Sequence, residues 1–430
     1  MNSDFKLENI TFLFYCVSFL FMVFYSVTAI MMWTYPWNQI SIVAACLFPL
    51  VLTICCKFNK REFSKKIEKE ILIAFLIIII GLLNIYYSDD YSTTVKAMTL
   101  FLVSGIGAFI VTLLIVNNRR RQITLLTLCW VCLILLCVHG TIEFFFNKSP
   151  LWFAYRPHLK AIHLGSFNPI PAGSLLILLI MGPLVLYHGV NKWLQIVSIM
   201  SIIAACIIIL AIGKLGPVVG IIGAILFVSI FCRKQLWVTI LVAAMLLSAY
   251  GLGHWCGGFA PLQLISKLKT SNSIAWRVEN YFLAMHILPQ RPFCGIGLHA
   301  PIHPYLTDYS ERLNINSSNS HYRNYIKDLK TFENSFLLIL VEMGMLMAIA
   351  YLSLGGVIIK KLLNNCWKVK SQKKNAILFL APLFGFLIHS LTFDSLAYPH
   401  LNWLFHSFLG LLANLDKFNI VPRSENRQPT

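Results

Sequence analysis

Charge is scarce in this chain, and acidic charge is scarcest. Of 430 residues only 12% are charged, about half the share of an ordinary soluble protein. There are 17 Asp and Glu against 35 Lys and Arg, while 58% of the residues are hydrophobic. That balance excludes a soluble globular enzyme with a charged surface. The sequence also lacks internal repeats, low-complexity tracts and a separate soluble domain. Metal-ligand spacing is missing too. Cys129 and Cys132 form a C-x-x-C inside an apolar run with no second ligand pair. His254, His286, His299, His303 and His321 stand at no spacing with Cys or acidic partners that suits a metal. No metal and no cofactor are expected. The first apolar run is too long for a signal-peptide core and has no clear small-residue cleavage site, so it reads as a retained span.

What is abundant is long apolar sequence. About twelve runs are near the length of a spanning helix: 11–33, 39–56, 71–87, 96–116, 123–143, 170–190, 193–212, 215–232, 236–252, 334–357, 376–393 and 398–415. The expected fold is therefore an all-α integral membrane bundle. A net charge of +18 is of the sign that suits nucleic acid, but its distribution points elsewhere. Lys and Arg gather in 57–70, 117–122, 191–192, 233–235, 360–374 and the tail after Lys417. The loops 88–94 and 394–397 contain neither; the loop holding Lys148, Arg156 and Lys160 is a partial exception. This alternation follows the positive-inside rule. It predicts both termini on the cytoplasmic side and the long polar stretch 253–333 on the other. The basic loops fit membrane lipid headgroups, and no nucleic-acid partner is expected.

The chain accordingly divides into 1–252 (nine spans), the outer loop 253–333, 334–415 (three spans) and a cytoplasmic tail 416–430. Within the loop, Ile274, Val278, Phe282, Met285 and Leu288 recur at helical spacing, predicting an amphipathic helix over 273–288. Pro289 and Pro292 end it, and Gly295 and Gly297 permit a tight turn. The mixed polar stretch 299–330 suits a lid or an acceptor-binding surface, or simply a solvated loop. Cys256 and Cys294 would be able to pair in an oxidising compartment, though spacing alone does not bring them together.

Four ionisable residues converge on the outer side by topology. Lys214 lies in Gly213-Lys214-Leu215-Gly216-Pro217, Arg277 on the amphipathic helix, Glu333 at the start of the tenth span and Asp394 at the end of the eleventh. Taken singly, each fits a boundary charge that snorkels or caps a helix. Taken together, the cations suit an anionic leaving group and the carboxylate suits removal of a proton from an attacking hydroxyl. Glu342, about nine residues into the tenth apolar run, projects away from Glu333 and reads as a structural pairing residue.

Three motifs carry a resemblance to the bacterial O-antigen ligase/polymerase superfamily. Trp276-Arg277 on a helix, followed by Pro292 and Gly295-Ile296-Gly297, is similar to its Arg-bearing helix and P-x-x-G-x-G. Glu333-Asn334, nine residues, then Gly344 resembles its H-N-x9-G, and 213–217 resembles its Ser-Arg-Gly turn. Two departures stand out. Lys214 replaces the usual arginine, losing the bidentate fork, and Glu333 replaces the ligase histidine, a base of lower ordinary pKa.

The resemblance implies a multi-pass protein of the bacterial inner membrane with a GT-C-like bundle and a site facing the periplasm. It implies metal-independent glycosyl transfer from an undecaprenyl-pyrophosphate-linked glycan, in O-antigen or lipopolysaccharide biosynthesis. The acid-Asn pair favours polymerisation of the glycan; ligation to a lipid A-core acceptor is the alternative. On this reading Glu333 and Arg277 are catalytic, Lys214, Arg277 and Arg291 hold the pyrophosphate, and Asn334, Asp394 and His321 are further candidates. A flippase for lipid-linked glycans is the reading of another class. Against it stand the absence of an inverted repeat and the placement of the motifs on one side.

Overall fold

The computed structural model describes residues 3–31, 37–59, 69–146, 169–187, 190–232, 273–302, 304–305, 332, 334–365 and 370–415. Among these the chain is helical, with no strand. Before the polar loop come α1 (Ser3–Met31), α2 (Trp37–Asn59), α3 (Lys69–Tyr86), α4 (Tyr91–Leu102), α5 (Ala108–Ile115), α6 (Arg119–Phe146), α7 (Pro169–Leu179), α8 (Met181–Leu186), α9 (Lys192–Ile212) and α10 (Leu215–Cys232). After them come α11 (Ser273–Ile287), the single turn α12 (Ser335–Leu337), α13 (Met345–Asn365), α14 (Lys370–Ser390) and α15 (Pro399–Ala413).

Six of the helical stretches are long and apolar enough to cross a membrane: Leu7–Phe24, Lys69–Tyr86, Tyr91–Ile115, Arg119–Phe145, Lys192–Ile212 and Met345–Asn364. Ser41–Cys56, Ile170–Leu186 and Leu215–Phe231 are shorter apolar helices. This is a multi-pass membrane protein. The expected span 236–252 lies outside the described residues, as do Cys256, His321, Glu333, most of the polar loop and the tail.

The helices start and stop where side-chain chemistry allows. Asn191 accepts the Leu194 amide at 2.9 Å and caps α9. Gly213, with φ +68°, ends that helix in the left-handed region, where glycine pays no Cβ penalty. Between α4 and α5 the ladder widens into a π-segment, Val103–Gly107. Beside it Asn402 donates to Phe101 O at 2.9 Å and to Ser104 Oγ at 3.0 Å. α15 is the central helix, with Leu401, Trp403, Leu404, Phe405 and Phe408 all buried. α10 lies close against α14: a Cβ on Gly220 would sit 2.7 Å from the Gly385 carbonyl oxygen, an approach that small residues permit in membrane bundles.

One sequence expectation is corrected. The apolar run 334–357 is not one continuous helix. After α12 the backbone widens into a π-segment, Leu338–Glu342, and turns at Gly344 with φ +90° before α13 begins. Glu342 thus precedes the span Met345–Asn364 instead of lying deep within it.

Candidate functional site

The connections 213–217, 288–302 and 391–398 meet α11 and α12 at one end of the bundle. The turn between α9 and α10 packs on the end of α14. A Cβ on Gly216 would sit 2.7 Å from His389 Nδ1 and 2.6 Å from Thr392 Oγ1, so glycine is what lets the Lys214 turn close on His389. His389 is fully buried, and neither ring nitrogen has a normal hydrogen bond among the described residues; the Gly216 backbone lies against the ring. Arg277, half-buried on α11, is within electrostatic reach of that ring. His389 therefore packs on the Lys214 turn and feels the charge of Arg277.

Asn334 ties a third element to the same place. Its Oδ1 accepts the amides of Phe336 at 2.8 Å and Leu337 at 3.3 Å, capping α12. Its Nδ2 donates to the Tyr281 hydroxyl at 2.7 Å and to Leu391 O at 2.9 Å. Tyr281 is one helical turn beyond Arg277, so it brings the Arg277 helix to the residue that follows 333. Ser335 continues the docking, donating to Phe393 O at 3.3 Å and accepting the Leu396 amide at 3.2 Å. The half-buried Asp394 lies between those two partners, close enough to act on the Glu342 carboxyl.

Downstream of both elements, the two glycine motifs clasp each other backbone to backbone. Ile296 N donates to Val341 O at 3.1 Å, and Gly297 N to Glu342 O at 2.9 Å. In return Met345 N donates to Pro292 O at 2.9 Å and Leu346 N to Phe293 O at 3.2 Å. Gly295 (φ +69°) and Gly344 (φ +90°) face one another; a Cβ on Gly344 would strike the Phe293 carbonyl, and one on Gly295 the Glu342 carbonyl. Both the conformation and the approach demand glycine.

Glu342 seals the clasp. It is fully buried, and its Oε2 accepts the His299 amide at 2.8 Å, holding His299 at φ +59°. Burial pushes its carboxyl up to about 8, against the opposing effect of the His299 and Phe332 amides, with Asp394 adding to the rise. Burial holds the His299 imidazole below its ordinary value.

Lys214, Arg277, Asn334 and Asp394 thus belong to one connected end. Arg291 is differently placed, since its guanidinium pairs with Asp89 at 2.8 Å and Asp89 also accepts the Tyr305 hydroxyl at 2.5 Å. Cys294 carries a free thiol. Sequence reasoning missed His389, Tyr281 and Asn84 at this end. Of these, Asn84 and His389 left a signal, as polar side chains inside apolar runs.

Residues 199–352 match the family model described as O-Antigen ligase. Over that stretch the chain is similar to O-antigen ligases, and the resemblance to the O-antigen ligase/polymerase superfamily holds. No curated protein matches the chain. The matched stretch includes the Lys214 turn, α11, residues 333–334 and both halves of the clasp. His389 on α14 and Leu391 just after it, which close the site from that side, lie outside it.

Proposed function

We propose that this protein is a membrane glycosyltransferase that extends a glycan carried on an undecaprenyl-pyrophosphate donor at the periplasmic face of the bacterial inner membrane. One observation supports this most: the Lys214 turn, Arg277 and the turn capped by Asn334 are drawn to one end of the bundle through His389, Tyr281 and Leu391. The family match covers these three elements.

In the reaction, an acceptor sugar hydroxyl attacks the anomeric carbon of the donor glycan. The new C–O bond forms as the bond to the pyrophosphate oxygen breaks, with inversion. Lys214 and Arg277 stabilise the charge gathering on the leaving pyrophosphate. The hydroxyl proton passes to Glu333, the general base. Asn334 fixes the backbone that follows Glu333. Arg291, already paired with Asp89, acts from further out.

Purified protein in nanodiscs, given an undecaprenyl-pyrophosphate-linked oligosaccharide, should lengthen the lipid-linked glycan and release the lipid pyrophosphate. The second reading is ligation to lipid A-core, favoured by the description of the matched family. Including a lipid A-core acceptor separates the two: glycan on the core and none lengthened on the carrier would establish ligation. Movement of intact lipid-linked glycan between leaflets without bond formation would establish the flippase and end both enzymatic readings.

A further inference from the structure

We propose that Asn84 is a positioning residue for the transfer reaction, holding the glycine clasp that sets the Arg277 helix against the turn capped by Asn334. This inference rests on the proposed glycosyl transfer, but its structural basis is independent of it.

Asn84 lies near the end of α3, fully buried and far from either motif in sequence. Its Nδ2 donates to Cys294 O at 2.5 Å and to Glu342 O at 2.8 Å, one carbonyl from each half of the clasp. Its Oδ1 accepts the Leu298 amide at 3.3 Å. An amide in an apolar helix is costly unless its hydrogen-bonding capacity is used, and here both donor hydrogens and the acceptor are engaged across the clasp.

The geometry gives that clasp a consequence for the site. One half, 288–297, continues directly from the helix that carries Arg277 and Tyr281. The other half, 341–344, continues from the turn that Asn334 begins. The two elements are joined at their upstream ends by the bond from Asn334 to Tyr281. Downstream they are joined by the clasp. Two fixed points on each element set both the spacing and the angle between the Arg277 helix and the turn that Asn334 caps. Asn84 bridges the second of these points, from outside the region matched by the family model.

Asn84→Asp is nearly isosteric and keeps an acceptor for Leu298, but it no longer donates to the two carbonyls. In full-length protein in nanodiscs, turnover of a lipid-linked oligosaccharide should fall at least about tenfold while the apparent KM stays within about twofold, the pattern of a group acting on the transition state. Hydrogen exchange at the amides of Ile296, Gly297 and His299 should quicken together. Asn84→Gln, which keeps the amide, should restore part of the turnover. If Asn84→Asp does not insert, Asn84→Ser, which retains one donor, is read by the same two measurements. Undiminished turnover overturns the proposal, and so does lost turnover with unchanged exchange. If the native protein transfers no glycan, the proposed function fails on that result; the exchange measurement then decides by itself whether Asn84 holds the clasp, unchanged exchange overturning it.

Discussion

The side-chain amide of Asn334 donates to the hydroxyl of Tyr281 at 2.7 Å, joining a helix cap to the helix that carries Arg277. Tyr281→Phe removes that acceptor while keeping the ring. One exposed-side hydrogen bond is worth about 1 kcal/mol, so a modest drop in melting temperature in detergent is expected. Transfer should fall several-fold more than the melting shift alone accounts for, because the cap moves with the bond. Equal activity in the variant and the native protein would show that the cap is held by Leu391 and the α12 amides without Tyr281.

Arg277 is the cation whose removal should matter most. Arg277→Ala should abolish product formation in protein that still inserts and melts as a folded species. Lys214→Ala should be severely impaired and Lys214→Arg much less so, since arginine restores the charge and adds a fork suited to phosphate. Size-exclusion profiles alongside a transfer assay check this, and full turnover in Arg277→Ala would remove that residue from the site.

Glu333 is proposed as the base. Glu333→Gln keeps the shape and loses proton acceptance. General-base catalysis contributes about 10²–10⁴-fold, and kcat should fall by that order with donor affinity retained. Glu333→His should recover part of the rate. Near-normal turnover in Glu333→Gln would direct the search for the base to Asp394, His299, His303 and His321.

Gly344→Ala places a Cβ against the Phe293 carbonyl at φ +90°. Backbone strain of this kind costs about 1–3 kcal/mol before the clash is counted. The expected outcome is sharply reduced yield of folded protein, with Gly295→Ala behaving alike. Gly355→Ala, where a Cβ meets nothing within 4 Å, is the control and should be tolerated.

Glu342 gives a signature in pH. Its folded-state carboxyl is pushed from an ordinary 4.5 up to about 8. Between those values the folded protein holds more protons than the unfolded chain, so stability falls as pH rises through that window. Glu342→Gln should flatten the dependence of melting temperature on pH between about 5 and 8. A slope unchanged by this substitution would assign the dependence to other groups.

Hydropathy and the placement of Lys and Arg were enough to read a helical membrane protein from the sequence. Apolar spacing likewise located the helix carrying Arg277, because each property is local. Counting spans placed Lys214, Arg277, Glu333 and Asp394 on one side; Lys214, Arg277 and Asp394 do lie at one end, and Glu333 falls outside the described residues. What local pattern did not carry was the break at 338–344. Apart from Glu342 that stretch carries no charge to mark a break, and its π-turn is fixed by a partner loop nearly fifty residues earlier. His389 carries no local mark of its role, since its contact with the Lys214 turn depends on how α10 and α14 pack. Asn84 was missed although it is a polar residue among isoleucines and leucines, because its partners are 210 and 258 positions away.

That separation also bears on biosynthesis. Asn84 enters the membrane early, while the carbonyls that satisfy its amide belong to residues translated more than two hundred positions later. Until the ribosome has passed residue 344, the third helix carries an amide with no clasp to receive it. The end of the bundle that carries the clasp cannot close before then, and chains halted short of that point retain a polar mark inside an otherwise apolar helix. Such a mark offers a membrane protease or chaperone a means of telling unfinished copies from finished ones.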